Sequence, residues 1–213
     1  MSGPASGGDL GGVIRARHMV RNFADAPIDD SVLDELLDLA RRAPSAGNTQ
    51  AVEYLVLAGP ETAAYWDVTL PAPKRRRFRW QGLLAAPVLL LLLTRPEAYR
   101  ERYAETDKDR ADTLGADLGR WPVPYWWVDA GAVAQNVLLL ATDAGLGACL
   151  FGAFDHERAV LDTLGVPDDR RLVATIALGH PRPDEPGRSA GRRRPPVDEI
   201  RRRGRWTTPP PPA

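Results

Sequence analysis

The sequence has little of what most catalytic sites are built from. It holds one cysteine, Cys149, and three histidines, His18, His156 and His180, in 213 residues. A single thiol excludes an intrachain disulfide and a thiolate metal cluster within one chain. It stands in the apolar run Ala148-Cys149-Leu150-Phe151, where a cysteine behaves as a small core residue. One free thiol also suits a reducing, cytoplasmic setting. No H-E-x-x-H or C-x-x-C occurs, so the common zinc signatures are missing. There is no G-x-x-x-x-G-K-[ST] phosphate loop and no G-x-S-x-G nucleophile elbow. The one G-x-G, at Gly145 and Gly147, follows a helical pattern and lacks the third glycine of a dinucleotide fingerprint.

Net charge is missing too. The 28 basic residues balance 28 acidic ones, which gives no support to a nucleic-acid binder. No membrane-spanning run is present. Residues 85–94 are apolar but too short, and the apolar stretch around Asn136 is broken by Asp129, Gln135 and Asp143. A chain so poor in its own reactive groups either binds something or takes its chemistry from a cofactor.

What is present describes an ordinary folded domain. Hydrophobic residues make up 44% and charged residues 26%, and the length suits one core. Residues 1–12 are Gly/Ser-rich and read as disordered. Residues 13–179 form the folded domain. Residues 180–206 are a Pro/Arg-rich arm, and residues 207–213 a Pro-rich disordered tail. Within the domain, residues 29–43 carry Leu33, Leu36, Leu37 and Ala40 at helical spacing, stopped by Pro44. Residues 54–58 and 87–93 read as buried strands, the second covered on both faces. A short helix follows at 61–66, a basic loop or helix start at 74–80 and a charged helix at 96–110. Residues 128–144 predict a central helix, apolar nearly all round. Strand 148–151, helix 157–164 and strand 172–178 complete the pattern. Strands and helices alternate without a regular βαβ repeat, which favours α+β.

Three segments can bear on one site. Arg17-His18-Met19-Val20-Arg21-Asn22-Phe23 gathers anion donors, or is a charged helix cap. Ala43-Pro44-Ser45-Ala46-Gly47-Asn48-Thr49-Gln50 offers backbone donors and short side chains, or is an ordinary turn. The turn and strand from Gly145 to Phe154 put Gly152 at a strand end, where a backbone N–H can face a ligand. Taken alone, it reads first as a tight helix-to-strand connection.

Together these segments resemble the nitroreductase family of flavoproteins, over roughly residues 14–200. The family opens with R-[RHK]-S-x-[RK]-x-[FY], matched by residues 17–23. Its A-P-S-x-x-N-x-Q element is present in full at 43–50. Q-N followed by G-L-G is matched by Gln135-Asn136 and Gly145-Leu146-Gly147. Leu178-Gly179-His180-Pro181 and Arg194-Pro195-Pro196-Val197-Asp198-Glu199 match L-G-x-P and R-x-P-x-x-E. The chain departs in having Met19 where the family often has serine, and Ala51-Val52 where many members have P-W.

The resemblance implies a three-layer α+β fold, a mixed and mainly antiparallel sheet flanked by helices in an intertwined homodimer. It implies FMN at the dimer interface, NAD(P)H as electron donor and a small electron-poor substrate such as a nitroaromatic or quinone, turned over by ping-pong hydride transfer. Arg17, His18, Met19 and Arg21 would hold the FMN phosphate, ribityl chain and pyrimidine edge, with Arg192 and Arg194 joining at the phosphate. Pro44, Ser45, Ala46 and Asn48 would reach the flavin of the other subunit. Leu150, Phe151 and Gly152 would lie near its reactive nitrogen, with Arg79 or Gln81 as candidates for the pyrimidine edge. No protein residue is expected to act as catalytic acid or base, and no metal, nucleic acid or membrane is expected as partner. Trp121, Tyr125 and Trp126 belong to an aromatic loop that is either a lid over flavin and substrate or packing at the start of the long helix. The arm would embrace the partner subunit. The alternatives are a non-catalytic flavin or F420-type binder, or a flavin-modifying or dehalogenating member of the same family.

Overall fold

The computed structural model describes residues 9–185, 187 and 189–206. Eight helices are found among them: α1 (Leu10–Ala16), α2 (Asp30–Ala40), α3 (Thr62–Thr69), α4 (Ala72–Arg75), α5 (Pro96–Tyr103), α6 (Tyr125–Asp143), α7 (Glu157–Thr163) and α8 (Val197–Ile200). The strands are β1 (Val52–Ala58), β2 (Val88–Thr94), β3 (Gly147–Phe151) and β4 (Arg171–Gly179).

Strand β2 organises the molecule, because every one of its residues is buried. Its alternate side chains enter two different cores. Leu90 and Leu92 meet Leu33 and Leu36 of α2 and Val133 and Val137 of α6. Leu89 and Leu91 meet Tyr65 and Trp66 of α3 and Val160 and Leu161 of α7. The result is three layers, helices on each face of one sheet. Each fully buried leucine contributes about 1.5–3 kcal/mol of transfer free energy, so this strand anchors both cores.

The sheet runs β1-β2-β4-β3, and all three strand pairs are antiparallel. The mixed sheet expected from sequence is thereby corrected. One crossover, through α6, does set β3 in the same direction as β2. Strand β4 lies between them, so no parallel pair forms among the described residues.

Other boundaries also differ. Helix α1 begins at Leu10, inside the segment expected to be disordered, and packs on α6. Leu10, Val13 and Ile14 stand at helical spacing, which gives this short element an apolar stripe. Helix α5 ends at Tyr103 instead of 110, where Arg102 turns back to bond Glu105 and Asp107. The arm does not leave the body at Gly179. The Ala24 N–H donates to His180 O, and the Arg182 N–H to Asn22 O, so residues 180–184 run beside their own chain. The pairing satisfies backbone groups that would otherwise stay unbonded. Beyond it, Val197, Ile200 and Trp206 are exposed. Residues 1–8 and the tail at 207–213 lie outside the described residues. No described helix is long and apolar enough to cross a membrane.

Candidate functional site

The segment 17–23 is strapped onto the edge strand β3 and the turn at Gln81–Ala85. The Val20 N–H donates to Ala148 O at 2.9 Å, and the Phe23 N–H to Gly82 O at 3.2 Å. Contact is close because residue 147 is glycine. A Cβ there would stand 2.9 Å from Val20 Cγ1 and 3.1 Å from Phe23 Cε1. The first and third sequence segments are therefore neighbours. Cys149 lies beneath them, 3% exposed, and burial pushes its thiol pKa up. It is a core residue.

Arg17, like Tyr54, Trp66 and Thr94, has a buried side-chain polar atom without a partner among the described residues. In Arg17 that atom is Nη1. A guanidinium N–H without a partner is costly, and an anion is what its geometry matches. His18 is exposed, its Nδ1 2.9 Å from Ala16 O. Met19 does not donate, as expected, but its Sδ accepts the Leu150 N–H at 3.4 Å. The thioether thus ties the first segment to β3, a role serine's short side chain is not sized for. Arg21 is fixed from three sides. Its N–H donates to Asp184 Oδ2 at 2.5 Å, its Nη1 to Met19 O at 3.3 Å, and its Cζ lies 5.2 Å from the Trp80 ring centre.

A cavity of about 620 Å³ opens beside Arg21, lined also by Trp66, Phe78, Trp80 and Leu150 to Gly152 among others. That volume is in the usual range for a small-molecule site. Trp66 and Phe151 stack in its wall, with ring centres 5.9 Å apart and planes at 14°. Phe154, at its rim, is 86% exposed and holds a left-handed φ of +47°. Gln81 is less free than its sequence position suggests. Its Nε2 donates to Arg75 O and Phe78 O at 2.6 and 2.7 Å and closes the turn between them. Arg79 lies 4.5 Å from the Trp80 centroid.

The second segment is elsewhere. Residues 43–50 precede β1, which is the opposite edge of the sheet from β3. Three strand spacings separate those edges, roughly 14 Å. One chain therefore does not bring the A-P-S-x-x-N-x-Q loop to the other two segments. The loop is held in an unusual shape: Gly47, Asn48 and Gln50 all have left-handed φ, at 64°, 57° and 53°. At Gly47 no side chain fits, since a Cβ would stand 2.8 Å from Tyr103 Cε2. Asn48 Oδ1 accepts from Gln50 Nε2, and Ser45 Oγ from the Gln50 N–H. Strained non-glycine residues of this kind collect at binding sites.

Asp129 holds that loop, and sequence reasoning passed it over as an interruption of an apolar helix. It is 6% exposed, and its Oδ2 accepts both the Ala46 N–H at 2.8 Å and the Tyr99 hydroxyl at 2.9 Å. Burial, then this bond, raises the Tyr99 pKa. The signal in the sequence was a lone carboxylate among apolar residues. Asp184, which holds Arg21, left no such signal.

The aromatic loop packs around the same point. Trp121 is 8% exposed, donates from Nε1 to Leu114 O, and meets Tyr103 edge-on at 4.7 Å. Trp121 thus packs at the helix start, and Trp126 joins the same cluster. Tyr125 is exposed. In the arm, Arg194 makes no hydrogen bond or ion pair among the described residues. Arg192 bonds only through its backbone, to Ser189 O.

The family model described as "Nitroreductase family" matches residues 14–180. The chain is similar to the 4-nitrobenzoate reductase of Nocardioides sp. (strain LMS-CY), at 30% identity over 87% of this chain and 86% of that one. It is 27% identical to the chloronitrobenzene nitroreductase of Comamonas testosteroni, over 78% of this chain and 84% of the other. The fold matches the nitroreductase family protein from Streptococcus pneumoniae TIGR4 with a TM-score of 0.69 and 24% identity, covering 91% of this chain and 99% of that one. The strapped segment 17–23, the strained loop at 43–50 and the match over residues 14–180 agree: the chain is an oxidoreductase that belongs to the nitroreductase family.

Proposed function

We propose that the protein is an FMN-dependent NAD(P)H oxidoreductase that reduces nitroaromatics, quinones or other electron-poor small molecules as a homodimer. The observation that carries the reading is a cavity of about 620 Å³ lined by Arg21 and by Trp66, whose buried Nε1 has no hydrogen-bond partner among the described residues. The donor set fits FMN. Arg17 and His18, joined by Arg192 and Arg194 of the arm, would hold the phosphate dianion. Arg21 puts a fixed positive charge beside the cavity, where a pyrimidine edge that gains negative charge would be stabilised. Leu150, Phe151 and Gly152 give a flat backbone surface against which a planar ring can rest.

When bound, FMN supplies the hydride-transfer chemistry. The chain's own residues bind, orient and exclude water. Trp66, Phe78, Trp80 and Phe151 make an apolar wall for flat partners. Donor and acceptor would occupy this one cavity in turn, the physical basis of a double-displacement cycle. The position of the loop at 43–50, on the far sheet edge, supports a site completed by a second copy. Pro44, Ser45, Ala46 and Asn48 would then enter the partner's site, and Val197, Ile200 and Trp206 would be covered by the partner. The relatives' names favour nitroaromatics as substrates. The lone buried thiol is in keeping with a cytoplasmic protein.

The purified protein should be yellow and dimeric, and NAD(P)H should bleach it under nitrogen. Arg17→Ala should weaken FMN binding about 10- to 100-fold, the worth of one or two charge-assisted hydrogen bonds. It should leave the melting temperature of the flavin-free protein unchanged, because Nη1 has no bond to lose. Full flavin retention by both Arg17→Ala and Arg194→Ala would overturn the phosphate assignment, and a flavin-loaded monomer would overturn the shared site.

A further inference from the structure

We propose that the basic turn around α4 is the phosphate-recognition site of the nicotinamide donor, and that it makes NADPH the preferred reductant. The proposal rests on the reading of the large cavity as the oxidoreductase site.

Charge is concentrated here as nowhere else in the domain. Residues 74–79 hold Lys74, Arg75, Arg76, Arg77 and Arg79, while residues 68–96 contain no aspartate or glutamate. Two of these cations are engaged. Arg75 pairs with Asp67 and donates from Nε to Leu70 O at 2.8 Å. Arg79 covers the Trp80 ring and lies 3.7 Å from Glu185. The other three, Lys74, Arg76 and Arg77, are exposed and form no ion pair among the described residues. With Pro73 they surround a hollow of about 450 Å³.

The turn is held in shape, so the cations are presented rather than trailing in solvent. The Arg77 N–H donates to Lys74 O and the Phe78 N–H to Arg75 O, both at 3.1 Å. Gln81 closes the turn from below. Its two ends are tied to the cavity, since Leu70 on one side and Phe78 and Trp80 on the other belong to the cavity wall. A dinucleotide whose flat ring lies among Trp66, Phe78 and Trp80 would carry its phosphates out over this rim.

The chemistry selects between the two donors. Both carry a pyrophosphate, but NADPH adds a 2′-phosphate dianion. Arginine grips a phosphate through paired N–H donors, and lysine adds a point charge. Three unneutralised cations around one hollow favour the more highly charged donor.

The test uses the flavin-loaded protein and the variant Lys74→Ser/Arg76→Ser/Arg77→Ser. Calorimetry with adenosine 2′,5′-bisphosphate and adenosine 5′-monophosphate reads binding without turnover. Flavin bleaching by NADPH and NADH reads the donor. The bisphosphate should bind about tenfold tighter or more, and the triple variant should lose NADPH kcat/KM about 10- to 100-fold, the yield of three exposed charge pairs. NADH should lose much less. In the wild type the NADPH advantage should shrink as salt rises from about 0.05 to 0.5 M, since the screening length falls below about 5 Å. Equal binding of the two fragments, or a triple variant that keeps the donor preference, overturns the phosphate site. Failure of both donors to bleach the bound flavin overturns the oxidoreductase reading beneath it.

Discussion

Replacing Asp129 by alanine and by asparagine separates the charge of this side chain from its hydrogen bonds. Both donors, the Ala46 N–H and the Tyr99 hydroxyl, reach the same oxygen, at 2.8 and 2.9 Å. Alanine removes that acceptor and leaves two donors without a partner, the Tyr99 hydroxyl among them buried. A hydrogen bond to a charged group contributes about 1.5–3 kcal/mol, so Asp129→Ala should lose about 3–5 kcal/mol of folding stability. Asparagine can place its carbonyl oxygen where Oδ2 stands and keep both bonds as weaker neutral ones. Asp129→Asn should therefore lose only about 1–2 kcal/mol. Urea unfolding followed by near-ultraviolet dichroism reads both quantities, because Tyr99, Trp121 and Trp126 surround the site. The functional effect should follow the same order. Ala46 starts the loop whose Gly47, Asn48 and Gln50 hold left-handed φ. Loosening it should weaken FMN binding although Asp129 lies 83 residues from Ala46 in the chain and acts only through it. Asp129→Ala within 1 kcal/mol of wild type, or Asp129→Asn as unstable as Asp129→Ala, would refute the reasoning.

Gly147→Ala should cost about 1–3 kcal/mol and lower flavin content, because the new methyl would push Val20 and Phe23 off β3; unchanged melting and flavin content would contradict the strapped geometry. Burial pushes the Tyr54 pKa up to about 12, against the opposing charge of Arg41, and burial also raises those of Tyr65 and Tyr99. A folded-state pKa raised above the unfolded value near 10 means that the stability these phenols contribute is complete below pH 10 and is lost as pH climbs toward 12. Absorbance at 295 nm should therefore show ionisation of these three tyrosines coinciding with alkaline unfolding. Titration of all five near pH 10 in a still-folded protein would count against the buried placements.

Much of the frame was legible because it depends on local pattern. The run 87–93, apolar without alternation, announced a strand covered on both faces, and β2 (Val88–Thr94) is buried throughout. Arg17 to Phe23 and Ala43 to Gln50 stood out as candidate site segments because arginine spacing and small polar residues after a helix stop carry their chemistry in the sequence. Asp129 was harder, since a carboxylate in an apolar helix does not name its partners 83 and 30 residues away. Asp184, which accepts the Arg21 backbone N–H, and Trp80, which lies beside its guanidinium, could not be paired with it at all, because nothing local links them.

The sequence by itself determined most element types, the two-faced central strand, the scarcity of histidine and cysteine, and the membership of the family. The tertiary structure decided that segments 17–23 and 147–152 share one sheet edge while 43–50 sits on the other. It also decided that Trp121 packs against Tyr99 and Tyr103 and that Met19 caps a backbone N–H. The division has a plain cause. Periodicity and composition are set by neighbours along the chain, whereas strand order and the partner of a buried polar atom are set by which distant surfaces exclude water together.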